Sequence, residues 1–97
     1  MLNPKQKREL KALASNLTIK YQIGKNEISD SLITMLDKAL VAHELIKIDV
    51  MKGYSESINE LAINLSVRLN AEIVQVVGRV IVLFKRNKEN PKIKLVK

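Results

Sequence analysis

IKYQIGKNEISDSLITMLDKALVAHELIKIDV, residues 19–50, is the stretch that decides the fold. Ile19, Tyr21 and Ile23 alternate with Lys20 and Gln22, the period of a half-buried strand. A short polar loop, GKNE, follows. In SDSLITMLDKALVAH, Leu32, Leu36, Ala39 and Leu40 then recur at helical spacing, with Ile33 and Met35 widening the face. Ser29 is placed to cap this helix, Asp30 to occupy its first turn and Ile28 to staple onto Ile33. ELIKIDV alternates again, with Ile46, Ile48 and Val50 on one side and Lys47 and Asp49 on the other. Strand, helix and strand within about thirty residues make one βαβ unit. At its first corner, Gly24, Lys25 and Asn26 leave a strand end and enter a helix N-terminus. Unpaired backbone N–H groups and the helix dipole favour an anion there. Gly24 suits a positive φ, a close backbone approach, or both. P-loop spacing is absent, which argues against a nucleoside triphosphatase.

Upstream, Asn3-Pro4-Lys5-Gln6 is a helix start: Asn caps, Pro takes the first helical position and Gln completes a capping box. Leu10, Leu13, Ala14 and Leu17 give the stripe of this helix. Lys5, Lys7, Arg8 and Lys11 fall mostly away from it, as a solvated face or as phosphate contacts. Downstream, His43 suits a helix C-terminus, and MKGY (51–54) is a turn. A third helix begins at Ser55 or Ser57, the latter boxed with Glu60; Ile58, Leu61, Ala62, Leu65 and Leu69 form its stripe. EIVQVVGRVIVLFK (72–85) reads as a hairpin turning on Gly78-Arg79. Simple alternation puts Ile73, Gln75, Val77, Val80, Val82 and Phe84 on one face and Val74, Val76, Ile81 and Leu83 on the other. Both faces are apolar, and that surplus is core or a surface for self-association. The basic tail, about 86–97, extends the last strand or stays a loose arm.

The 97 residues therefore read as one domain ordered α-β-α-β-α-β-β. It is an α+β, two-layer arrangement with a four-stranded mixed sheet. There is no cysteine, hence no disulfide or thiolate metal site, and one histidine is too few for zinc, so neither metal nor cofactor is expected. No signal-peptide pattern or membrane-length apolar run is present, so the expected location is the cytoplasm. Formal charge is +7, distributed as +5 over residues 1–25, −4 over 26–78 and +6 over 79–97. If the basic ends meet, they form a face that attracts a polyanion. No nucleophile–base pair or acid–base constellation stands out, so an enzyme or small-molecule site is not expected. An RRM-like mode needs exposed aromatics, and only Tyr21, Tyr54 and Phe84 are present. Recognition would rest on phosphates and RNA shape. The candidate contacts are Lys5, Lys7, Arg8, Lys11, Gly24, Lys25, Asn26, Arg79, Lys85 and Arg86.

The segments NPKQKRELKALA, YQIGKNEIS, LDKALVAHELIKIDV and AEIVQVVGRVIVLFKR, in this order and spacing, resemble the YhbY-like family. That family is the bacterial stand-alone form of the CRM RNA-binding domain. The resemblance covers nearly the whole chain and implies a fold similar to the C-terminal domain of translation initiation factor three. It also implies a non-catalytic protein that docks on structured ribosomal RNA, with precursors of the large ribosomal subunit as partner. The family loop reads Gly-x-x-Gly and is comparable to the backbone-holding loop of KH domains. Here it corresponds to Gly24, Lys25 and Asn26, but Glu27 stands in place of the second glycine and brings negative charge to the proposed phosphate site. A DNA-binding or nucleoid-associated protein, or an adaptor using the apolar sheet, are the alternatives.

Overall fold

The structure, a computed structural model, describes residues 2–18, 21–24, 28–52, 57–89, 91 and 93. Its elements are α1 (Pro4–Ser15), β1 (Tyr21–Ile23), α2 (Asp30–His43), β2 (Leu45–Val50), α3 (Ile58–Leu69), β3 (Glu72–Val77) and β4 (Val80–Phe84). Ile19, Lys20, the loop residues Lys25, Asn26 and Glu27, and Gly53 to Glu56 of the expected turn lie outside the described residues.

Local chemistry places the helix starts where the sequence puts them. The Asn3 side chain accepts from Gln6 N at 2.8 Å while the Gln6 side chain accepts from Asn3 N at 3.1 Å, a complete capping box with Pro4 in the first turn. Ser29 accepts from Leu32 N, and Ser57 accepts from Glu60 N. Gly78 turns the hairpin with φ +57°, a conformation that L side chains rarely adopt.

The sheet order is β1-β2-β4-β3, with β1 parallel to β2 and the other neighbours antiparallel. α2 and α3 cover one face, where Leu36, Leu40, Leu61 and Leu65 meet Ile23, Ile48, Ile81 and Leu83. Burying one such side chain fully stabilises by roughly 1.5–3 kcal/mol. α1 lies against the opposite face, burying Leu10 and Ala14 on Leu45, Val74, Val82 and Phe84. The α+β class and the mixed sheet are as expected, but the layering goes further: helices occupy both faces, because each face carries its own apolar set.

The hairpin faces need correction. Ile73 pairs with Leu83 and Gln75 with Val82, so Val74 is an extra residue on β3. This bulge sends Ile73 to the α2/α3 side with Val76, Ile81 and Leu83, and turns Val74 toward α1 with Val80, Val82 and Phe84. Strict alternation fails because both faces are apolar, so a one-residue slip exposes nothing to water.

Two further expectations change. Leu13 and Leu17 are 41% and 38% exposed rather than core; they border a cleft with Tyr21, His43 and Ile93. The described part of the tail neither extends β4 nor hangs loose. Glu44, at the C-terminus of α2 with φ 63°, is completely buried. Its carboxylate accepts from Asn87 N and Ile93 N, both at 2.7 Å, and from Arg86 at 3.5 Å, while its carbonyl accepts from Lys85 N. The chain folds back on this one side chain and Ile93 packs on the α1-side core.

Candidate nucleic-acid interface

Strand register shows how much of the α1-side face stays open. Three rows cross the sheet: Leu45–Phe84–Glu72, then Lys47–Val82–Gln75, then Gln22–Asp49–Val80–Val77. α1 starts over the first row, where Leu2 N donates to Glu72 Oε1 at 3.1 Å, and buries that row and part of the second. The third row lies beyond the helix. Val77 is 54% exposed, and Gln22 and Asp49 meet each other through a long 3.4 Å hydrogen bond.

The basic residues of α1 flank this opening. Arg8, Lys11 and Ser15 sit at i, i+3 and i+7, and Lys7 lies four residues before Lys11, so they share one side of the helix. Lys11 and Ser15 border a groove of about 390 Å³ whose other walls are Lys47, Gln75, Val77, Val80 and Val82. Lys5, exposed, lies one turn from Arg8 on the outer side.

Strand ends complete the surface beyond the third row. Met51 N donates to Ile23 O at 2.8 Å and Val50 N donates to Arg79 O at 2.9 Å. Gly24, Lys52 and the exposed hairpin tip Arg79 thus sit together at one end of the sheet. Gly24 is half-buried and lacks a positive φ, and an added Cβ would lie 3.7 Å from Met51 Sδ, an ordinary contact. Neither of the two expected uses of this glycine is required by the chain itself. The adjoining α2 N-terminus is less open than expected. Ser29 takes one of its N–H groups, and its first-turn carboxylate, Asp30, pairs with Arg68 at 3.1 Å. Of the expected loop contacts, Lys25 and Asn26 lie outside the described residues.

Lys7, Arg8 and Lys11 therefore share the side of α1 that borders the groove, Gly24 and Arg79 stand at the open end of the sheet and Lys5 lies further out. Among the described residues none of these five cations enters an ion pair. Lys85 and Arg86 are set apart. Lys85 points to the α2/α3 side and pairs with Asp37 at 3.2 Å. Arg86 bonds Glu44 and, at 2.7 Å, the Ile93 carbonyl, and lies 5.4 Å from the centre of the Phe84 ring. Both hold the fold together. Lys47 is the cation that sequence reasoning missed. Its place opposite Ile46 and Ile48 was legible, but which sheet face stays uncovered was not. Tyr21 packs toward the α2/α3 core and Phe84 is buried under α1. Among the described residues, the open face carries valines and no aromatic platform.

Such a surface suits a polyanion: cations without internal partners along an exposed, partly apolar groove. Among the described residues there is no cluster able to hold a metal ion, and no helix is long and apolar enough to cross a membrane.

The chain is similar to known proteins in sequence and fold. The model of the CRS1 / YhbY (CRM) domain matches residues 2–85. The probable RNA-binding protein YqeI of Bacillus subtilis (strain 168) is 41% identical over 95 residues, spanning 98% of this chain and 99% of that protein. An RNA-binding protein of Haemophilus influenzae is 38% identical over 89 residues, spanning 91% and 89%. The solution structure of SAV1595 from Staphylococcus aureus superposes with a TM-score of 0.81 at 41% identity, covering 99% of this chain and 100% of that one.

Proposed function

The chain belongs to the CRS1/YhbY (CRM) domain family, and from that premise we propose that it is a non-catalytic RNA-binding protein of the cytoplasm. It docks on structured ribosomal RNA and assists assembly of the large ribosomal subunit. The observation that carries this reading is the segregation of cations. Those on the flank of α1 and at the hairpin tip have no internal partner among the described residues, whereas Lys85 and Arg86 do.

Lys7, Arg8, Lys11, Lys47 and Arg79 contact phosphates, and Gly24 lets the RNA backbone come close, since nothing in the chain needs its missing side chain. Lys25 and Asn26 extend that contact. Phosphate contact positions the protein, and the shape of the RNA selects the site. The names of the relatives, a probable RNA-binding protein and an RNA-binding protein, support RNA over DNA.

The test is a crosslinked pull-down from lysate at several salt concentrations, with sequencing of the retained nucleic acid. Large-subunit ribosomal RNA should be enriched over other RNA and DNA, with loss when Arg8 and Lys11 are both changed to glutamate. Each lost phosphate contact should lower the slope of log affinity against log salt by about 1. Recovery in proportion to RNA abundance, insensitive to both changes, would refute the assembly role.

A further inference from the structure

The groove between α1 and the third row of the sheet has a composition that phosphate binding does not explain. Its floor is aliphatic: Val77, Val80 and Val82, with Val77 more than half exposed. Its rim is basic, with Lys11 on the helix side and Lys47 on the strand. One neutral amide, Gln75, stands on the wall. Three adjoining valines beside an amide offer an apolar contact that a phosphate cannot use. We propose that this groove receives the base of one unpaired RNA nucleotide, with Gln75 bonding the base edge and Lys11 and Lys47 holding the phosphates beside it.

Size, chemistry and charge each narrow the occupant. About 390 Å³ is near the lower end of small-ligand sites, roughly 300–1,000 Å³. That is room for a single base and not for a helix. Valine side chains take a base face by apolar contact without selecting its identity. A glutamine amide carries both a donor and an acceptor and can pair with a base edge. Lys47 Nζ lies 3.4 Å from Leu17 O, which occupies one of three donors and leaves the others for phosphate. Asp49, beside Val80 on the third row and hydrogen-bonded by Gln22, is the carboxylate next to the groove on this face among the described residues. It repels phosphates from that margin, so the backbone passes on the Lys11 and Lys47 side. A second copy of the chain fits poorly. In a two-fold contact the two groove lysines of each copy would approach those of the other, with a single Asp49 at the margin of each to offset them.

This inference rests on the RNA-binding reading and is tested separately from it. Two hairpin RNAs are compared, identical except that one carries a single bulged 2-aminopurine nucleotide, whose fluorescence rises when the base leaves the stack. The protein should bind the bulged RNA about tenfold more tightly, the discrimination expected of one well-placed base contact, and binding should raise the fluorescence. Gln75→Ala and Val77→Ser, both uncharged changes at solvent-accessible positions, should abolish the preference and the fluorescence change. Their melting temperatures and their affinity for the plain hairpin should stay within about twofold and a few degrees of wild type. Lys11→Glu should weaken binding of both RNAs.

Equal affinity for the two RNAs, with Lys11→Glu still weakening both, would overturn the base pocket and leave RNA binding standing. Failure to bind either RNA would overturn both. A concentration-dependent dimer without RNA, with methyl shifts on Val77 and Val80, would assign the groove to a second copy and overturn the proposal.

Discussion

The two ends of the sheet use the same residue types in opposite ways. At the end where α2 meets β2 and β4 runs out, Glu44 holds Arg86 and Asn87, and the Lys85 ammonium is spent on Asp37. At the other end, Gly24, Lys52 and Arg79 surround the strand termini, and Arg79 contributes its backbone carbonyl to the fold. Arginine and lysine are abundant at both. What separates the ends is a buried carboxylate. Glu44 is fully buried, so it must be satisfied, and it gathers backbone N–H groups and a guanidinium to itself. Among the described residues no buried carboxylate lies beneath the α1 flank, so its cations keep their charge outward. A basic residue stays available to a partner where the fold sets no acid against it.

The largest effect should come from removing that acid. Glu44→Ala strands the N–H groups of Asn87 and Ile93. At roughly 1–3 kcal/mol for each unpaired buried group, the loss should be about 3 kcal/mol by urea denaturation. Hydrogen exchange should rise at both amides before the helices open. Unchanged stability would mean that the closed end is not held by its carboxylate.

An arginine exchanged at each end sharpens the contrast. Arg86→Gln should cost about 1 kcal/mol, through loss of the Glu44 and Ile93 contacts, and leave RNA affinity alone. Arg8→Gln should leave stability within about 0.5 kcal/mol and weaken RNA binding severalfold. If the two variants behave alike in both assays, the division between the ends does not exist.

The smallest stability effects separate two glycines at the same end. Gly78→Ala forces a side chain to φ +57° and should destabilise by about 1 kcal/mol. Gly24→Ala has neither that strain nor a close contact, so it should be nearly neutral in melting yet reduce RNA affinity. A destabilised Gly24→Ala would return that glycine to a purely structural role.

Some of the candidate surface was readable in advance. The basic side of α1 follows from helical spacing among Lys7, Arg8 and Lys11, and the exposed tip at Arg79 follows from Gly78. The structure sets Lys85 and Arg86 against acids of the chain itself, an arrangement that local sequence could not show. Their partners, Asp37 and Glu44, lie 48 and 42 residues away, and no local pattern announces a pairing at that distance. Lys47 was overlooked because alternation places it on a face without saying whether a helix covers that face.

What the sequence determined by itself is local: caps at Asn3, Ser29 and Ser57, the turn at Gly78, strand and helix periods, and family membership through segments in fixed order. These depend on bonds spanning a few residues and form wherever those residues stand together. Tertiary structure alone decided the bulge at Val74, the burial of Glu44, the fold-back of Asn87 and Ile93, and the uncovered third row. Each depends on which surfaces meet, and a chain apolar on both faces of its hairpin leaves that choice to packing.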